Sequence, residues 1–492
     1  MTDRKGIGLI LTAFPCLVLW LLFGGLGVVN AASPTNYDIV IVGGRVMDPE
    51  TGLDKTGMNV GINGRTIAVV TTEPIIGKVE ISAAGLVIAP GFIDILSYDP
   101  NEYGVWYKVA DGVTTNLAMH GGAIEPLKWR KKFAGITPVN FGAGFFYNSA
   151  RLSIGVNPYR PATTKEIERL VRMAQKALDE GGLGLGMSLE YAPGASQDEV
   201  EAMMTVAKRF NVPVFFHVRY STMEAPGTNI DALNEVITLA GKIGASIHVD
   251  HINSTGGTFS MAASLELIKK AVEDGVDITA CTYPYPFWAT YLNSARFDDG
   301  WQKRFRITYN DLQIGGSAER LTKENFAKYR KAGKLAVAYA IPEDDVTQAL
   351  SSPFVMLGSD GIMEPGNNNH PRAAGTFART LRVYVREDKT ITLMEAINKM
   401  SLMPAKRLEA ASAQMRKKGR LQQGMDADVV IFNPDTVTDT ATVERPNSFS
   451  KGFEYVIVNG RIVKDPRGLR KNTRPGQGIR TERSGKAVGG KE

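Results

Sequence analysis

The sequence predicts an α/β fold, a (β/α)₈ TIM barrel beside a small β-sandwich domain built from both chain ends. Three observations lead there. Between residues 87 and 419, eight apolar strand-like runs alternate with segments of helical spacing, the pattern of a parallel sheet with crossover helices. Both flanks of that region carry short strands and Asn-Gly turns instead. The histidines fall at strand ends, where a closed parallel barrel gathers them on one face. With 492 residues and 43% apolar content, the chain has enough core for one large module and a smaller one.

Taken in order, the chain opens with Arg4 and Lys5 ahead of an apolar stretch, 7–29, and Val29-Asn30-Ala31 sets small residues where a signal peptidase reads. Residues 1–31 are therefore expected to be a signal peptide. The stretch approaches the roughly 20 residues of a bilayer span, so an uncleaved N-terminal membrane anchor is the alternative. Both readings export the body of the protein to a periplasmic or extracellular space. Cleavage removes Cys16 and leaves Cys281 with no disulfide partner.

Strands are expected at 38–42, 45–47, 58–62 and 65–70, the last two joined by Asn63-Gly64, which suits a two-residue hairpin because both central positions need positive φ. The texture returns at 427–432, 455–458 and 461–464 around Asn459-Gly460. Segments 37–86 and 420–465 thus read as one β-domain. The barrel strands are expected at 87–95, 113–120, 139–145, 183–189, 212–218, 246–251, 276–283 and 355–360 within 87–419. A representative helix is 165–179, where Ile167, Leu170, Val171, Ala174 and Leu178 make one apolar face before Gly181-Gly182 ends it. The interval 286–345 is too long for a plain loop. It carries Phe287, Trp288 and Tyr291 and a helix near 323–331, and reads as an insertion forming a lid.

The net charge of +6 is concentrated after Asp465, in a Gly-rich basic stretch, 466–492, expected to be a disordered tail. The body is close to neutral. A nucleic-acid partner is not expected, since such a protein spreads basic charge over a folded face. The glycine run Gly182-Leu183-Gly184-Leu185-Gly186 lies before and within a strand rather than between strand and helix, which excludes a dinucleotide loop.

All five histidines, His120, His217, His248, His251 and His370, sit at or just beyond predicted strand ends. One such residue would read as a structural imidazole; five together read as a site. His217 and His251, on adjacent strands, suit a divalent metal, and hydrolytic zinc takes three protein ligands and an open position. His120 is the candidate third ligand. Asp360, after Gly358-Ser359, is either a helix cap or a carboxylate that passes a proton from an attacking water to a leaving amine. Arg219, Arg372 and Tyr283 suit a substrate carboxylate, Arg being fitted for bidentate binding, with surface salt bridges as the plainer reading of the two arginines.

Several local patterns occur in one order: Pro90-Gly91-Phe92-Ile93-Asp94, Asp111-Gly112-Val113-Thr114-Thr115, Tyr191-Ala192-Pro193-Gly194, His217-Val218-Arg219-Tyr220 and His251-Ile252-Asn253-Ser254-Thr255. Tyr283-Pro284-Tyr285, Ser359-Asp360, His370-Pro371-Arg372 and Ala427-Asp428 follow. Over about residues 37–465 the chain resembles the amidohydrolase superfamily, most closely its N-acyl-D-amino-acid deacylase branch and the N-acyl-D-glutamate deacylase-like proteins. The resemblance implies metal-dependent cleavage of the amide of a small N-acyl amino acid, of the D series, with Asp360 moving the proton. The family's His-x-His after Pro-Gly-Phe-Ile-Asp is replaced here by Leu96 and Tyr98, which removes the metal site that pair serves. The branch also has a bridging carboxylate or cysteine near the end of the second strand, where this chain reads Ala118-Met119-His120-Gly121. The expectation is therefore one divalent metal, Zn²⁺, on His120, His217 and His251. A neutral ligand there weakens affinity and sharpens Lewis acidity. The alternative from another class is a binding protein that kept the barrel and lost the metal.

Overall fold

Eight parallel strands hydrogen-bond in strict chain order: β1 (Phe92–Asp94), β2 (Val113–Ala123), β3 (Asn140–Phe146), β4 (Leu185–Ser188), β5 (Val214–His217), β6 (Ile247–Val249), β7 (Ile278–Thr282) and β8 (Val355–Leu357). A computed structural model, it describes residues 36–482. The leader expected at 1–31 and the end of the expected tail, 483–492, lie outside them. The ring closes just beyond β8 and β1, where Asp360 N–H donates to Leu96 O at 2.7 Å and Ser97 pairs with Gly361. Strands such as β5 are buried throughout, and apolar up to His217, because the barrel interior covers one face and helices the other.

The helices start where the sequence supplies caps. Thr164–Asp179 opens on a reciprocal Thr163–Glu166 box and buries Leu170, Ala174, Ala177 and Leu178; Gln197–Phe210 and Asn229–Ile243 open on Ser196–Glu199 and Thr228–Asp231. No helix among the described residues is long and apolar enough to cross a membrane.

The run 87–95, expected as one barrel strand, divides at Gly91. Val87–Pro90 pairs with Val429–Phe432 in the flanking sheet, and β1 begins at Phe92. A Cβ on Gly91 would lie 2.2 Å from Thr114 Oγ1, so the chain crosses between the two sheets where only glycine fits. That flanking sheet has nine strands and draws on both ends of the described chain. Asn36–Asp48 pairs along its first half with Ile76–Ser82 and along its second with Val87–Pro90. The sheet's interior packs Ile41, Val60 and Ile88 against Ile431 and Ile457.

Trp288–Tyr291, Leu335–Ala338 and Leu312–Ile314 form a separate three-stranded antiparallel sheet within the insertion, followed between its strands by the helix Lys323–Lys331. Trp288, Phe297, Trp301 and Phe305 make its core.

The tail departs from expectation. Residues 466–482 are placed against the amino-terminal end of the barrel: Phe141 N–H donates to Gln477 O at 3.0 Å, Ile479 N–H donates to Phe141 O at 2.7 Å, and Ile479 is fully buried beside Ile93, Ile95 and Met415. Arg467 and Arg470 both pair with Asp465. Composition suggested solvation because the segment is rich in Gly and Arg; backbone pairing and one isoleucine outweigh that.

Candidate active site

The carboxyl ends of β2, β5, β6 and β8 deliver His120, His217, His251 and Asp360 to one cavity of about 390 Å³. Ring nitrogens of the three histidines lie within 4.8 Å of one another. His251 and Asp360 take positive φ, +25° and +48°, where residues with a side chain are strained, and such strain concentrates at functional sites.

Each histidine is anchored on one nitrogen. His120 Nδ1 bonds Asp250 Oδ2 at 2.8 Å and His217 Nε2 bonds Glu190 Oε2 at 2.7 Å, while His251 Nδ1 lies 3.4 Å from Thr255 Oγ1. The opposite nitrogens remain: His120 Nε2 and His251 Nε2 flank Asp360 at 3.9 and 3.8 Å, and His217 Nδ1 is buried with no partner. An imidazole oriented by a carboxylate on one side and open on the other is the arrangement of a metal ligand, and the set of three suits Zn²⁺. Burial drives His217 well below its usual range, with Arg296 adding to it, and likewise drives down His251 against the pull of Asp360. Both are therefore held in the neutral form, which is the form that coordinates. For His120 burial also works downward, but the hydrogen bond it donates to Asp250 and the charge of Asp360 outweigh it and raise the group.

Asp360 sits on the facing wall. Tyr98 Oη donates to its Oδ1 at 3.0 Å, and Arg372 Nη2 pairs with its Oδ2 at 2.7 Å. Burial alone would raise its carboxyl; Arg372, the two histidines and Tyr98 together hold it below the ordinary value. Leu96, by contrast, is fully buried among Ile93, Ile95 and Cys281. Tyr98 reaches the cavity because Gly121 yields: a Cβ there would stand 2.6 Å from the Tyr98 ring.

Of the residues expected to hold substrate, Arg372 lines the cavity and leaves Nε and Nη1 without acceptors. Tyr283 lies beneath it, the guanidinium 4.9 Å from its ring, its hydroxyl pushed up to about 12 by burial. Arg219 does not join them. Its guanidinium is locked onto Glu235 at 2.9 and 2.7 Å and it lines a neighbouring cavity instead of this one. His370 is a buried structural group whose Nδ1 accepts from Arg372 N–H at 2.9 Å. His248 lies deeper in the barrel and outside the cavity.

Three residues of the site were not singled out from sequence, and a fourth, Tyr98, was read in another role. Asp250 and Glu190 orient His120 and His217; each precedes a residue of a recognised pattern, His251 and Tyr191, which was the available signal. Arg296 comes from the insertion, packs on Trp288, and keeps Nε without a hydrogen bond although Glu190 lies 3.4 Å away. Tyr98 was legible as a lost ligand, not as a donor to Asp360.

Residues 108–463 match the model of the amidohydrolase family. The chain is 30% identical over 469 residues to an N-acyl-D-glutamate deacylase of Alcaligenes xylosoxydans xylosoxydans, spanning 87% of this chain and 93% of that one. It is 28% identical to an N-acyl-D-aspartate deacylase of the same organism, over 90% of this chain and 95% of that one. Among solved structures it is similar to an N-acyl-D-glutamate deacylase from Bordetella bronchiseptica complexed with zinc and a phosphonate mimic of the tetrahedral intermediate. The TM-score is 0.78 at 27% identity, covering 91% of this chain and all of that one.

Proposed function

Since the chain belongs to the amidohydrolase family, in its N-acyl-D-amino-acid deacylase branch, and is a hydrolase of amide bonds, we propose that its substrate is an N-acyl-D-amino acid with an acidic side chain, N-acyl-D-glutamate foremost. The observation that carries this reading is the pairing of three open imidazole nitrogens with two buried guanidinium groups that retain free N–H donors around one cavity.

His120, His217 and His251 would hold one divalent ion, Zn²⁺ by their chemistry, which when bound supplies Lewis acidity to the amide carbonyl and lowers the pKa of the attacking water. Asp250 and Glu190 fix the ring orientations this requires. Arg372 offers Nε and Nη1 to the α-carboxylate, and Arg296 offers Nε to the side-chain carboxylate. Asp360 is held ionised and so is in the form that accepts a proton. The Arg372 pairing makes it a weak base until a substrate carboxylate shares that guanidinium, so binding and proton acceptance are coupled. Asp360 then returns the proton to the leaving amine. Leu152, Val156 and Leu335 give the cavity an apolar side for the acyl group, and Trp288 and Tyr291 bring the insertion over it. Arg4, Lys5 and the apolar stretch 7–29 support placing this activity outside the cytoplasm.

Initial rates with N-acetyl-D-glutamate, N-acetyl-L-glutamate and N-acetyl-D-leucine test the proposal. The D-glutamate compound is expected to be turned over fastest and the L form not at all. Equal rates on the two enantiomers, or no turnover of any N-acyl amino acid by zinc-loaded protein, would overturn it.

A further inference from the structure

Deeper in the barrel than the three histidines lies a second cluster, which shares only Asp250 with the site above. His248 on β6, Cys281 on β7 and Asp250, just after β6, place one donor atom each within 4.8 Å of one another. All three are buried, His248 and Cys281 completely. Two of the donors are orphans: His248 Nε2 and Asp250 Oδ1 are shielded from solvent and have no hydrogen-bond partner. Leaving two strong polar atoms bare in a barrel interior costs about 1–3 kcal/mol each, which a ligand between them would recover.

The remaining atoms of the same residues are already anchored. His248 Nδ1 is held by Thr279 Oγ1 at 2.7 Å, and Asp250 Oδ2 by His120 Nδ1 at 2.8 Å. The bare atoms thus belong to side chains whose other polar atom is already held, as in a site whose outer hydrogen bonds orient its inner donors. His251 N–H also points at Cys281 Sγ, 3.3 Å away, but burial and the charge of Asp250 push the thiol well up, so it ionises here only with a cation beside it.

From this geometry we infer that His248, Asp250 and Cys281 form a second divalent-cation site, distinct from the cavity and built for a zinc-like ion. The donor set of imidazole, carboxylate and thiolate selects such an ion over Mg²⁺ or Ca²⁺, which take oxygen. The charges balance. Binding releases the Cys281 thiol proton to solvent, and thiolate and carboxylate then neutralise the two positive charges. Bonds of about 2.0 Å to nitrogen and oxygen and about 2.3 Å to sulfur set donor atoms about 3.3–3.5 Å apart, within side-chain adjustment of the cluster as it stands. Asp250 serves both places, one oxygen orienting His120 and the other facing this site.

Co²⁺ is the probe, because only thiolate ligation gives a strong near-ultraviolet charge-transfer band and the cavity contains no cysteine. In full-length protein carrying Cys16→Ser, two Co²⁺ per chain and that band are expected. Cys281→Ser, nearly isosteric, should lose the band and one equivalent, while His251→Ala should lose the other equivalent and keep the band. The Cys16→Ser protein already decides the matter if a further variant fails to fold. One Co²⁺ without a thiolate band, or a band that survives Cys281→Ser, overturns the inference and leaves the cavity's proposed metal untouched. A thiolate band in protein inactive on every N-acyl amino acid supports the inference while the proposed function fails.

Discussion

The two walls of the cavity treat buried polarity in opposite ways. On the histidine wall, carboxylates of Asp250 and Glu190 and the hydroxyl of Thr255 hold one nitrogen of each ring and leave the other without a protein partner. On the facing wall nothing is left open around the carboxylate: Tyr98 and Arg372 satisfy both oxygens of Asp360. A buried carboxylate stripped of a cation costs several kcal/mol. On the second wall, at the two positions where the resemblance leads one to expect a ligand pair, Tyr98 is a phenol that donates to Asp360 and Leu96 joins the apolar core. The first wall keeps three imidazoles with one ligand nitrogen each within 4.8 Å of one another.

Changes that break this contrast rank by expected effect. His251→Ala removes a donor from the open wall, and loss of the cavity's metal should lower turnover by on the order of 10³ or more, read by elemental analysis beside initial rates. Next, Asp360→Asn should cost about 10² to 10⁴ in kcat with cavity metal retained. It should also lower the melting temperature, because Arg372 loses the partner of a buried pair; an unchanged melting temperature would show that the pair is not formed. Asp250→Asn should weaken affinity for the cavity's metal by about 10 to 100-fold, measured by competition with a chelator, through a misoriented His120.

The smallest change sharpens the contrast. Tyr98→Phe removes one of the contacts that hold Asp360 low. A carboxyl depressed in the folded state contributes stability that is full above its unfolded pKa and lost as pH falls through the folded one. With Tyr98 gone the folded value rises, so the acid limb of both kcat and stability should move to higher pH. A shift to lower pH, or none, would mean the Tyr98 hydroxyl does not bear on Asp360.

The barrel was legible because eight apolar runs separated by helical spacing leave few alternatives, and the strand ends named His120, His217, His251 and Asp360 in advance. Their partners were not legible. Asp250, Glu190 and Arg296 act through contacts 130, 27 and 106 residues away, and nothing in local pattern tells an orienting carboxylate from a surface one. Arg219 misled for the same reason: the motif places it two residues after His217, and a strand keeps such residues on one face only until it ends, here at His217, after which Glu235 decides where the guanidinium goes. The break at Gly91 needed the position of Thr114, and the order of residues 466–482 needed the pairing with β3, neither of which composition records.

The central claim is that the open histidine wall binds the metal on which amide hydrolysis depends. The most direct test strips the full-length protein with chelator and returns Zn²⁺ stepwise while following N-acetyl-D-glutamate hydrolysis, in parallel with His217→Ala. Activity should be absent from stripped protein, return on Zn²⁺ addition in the parent, and never return in His217→Ala. Full activity in the stripped protein, or equal recovery in His217→Ala, would contradict the account.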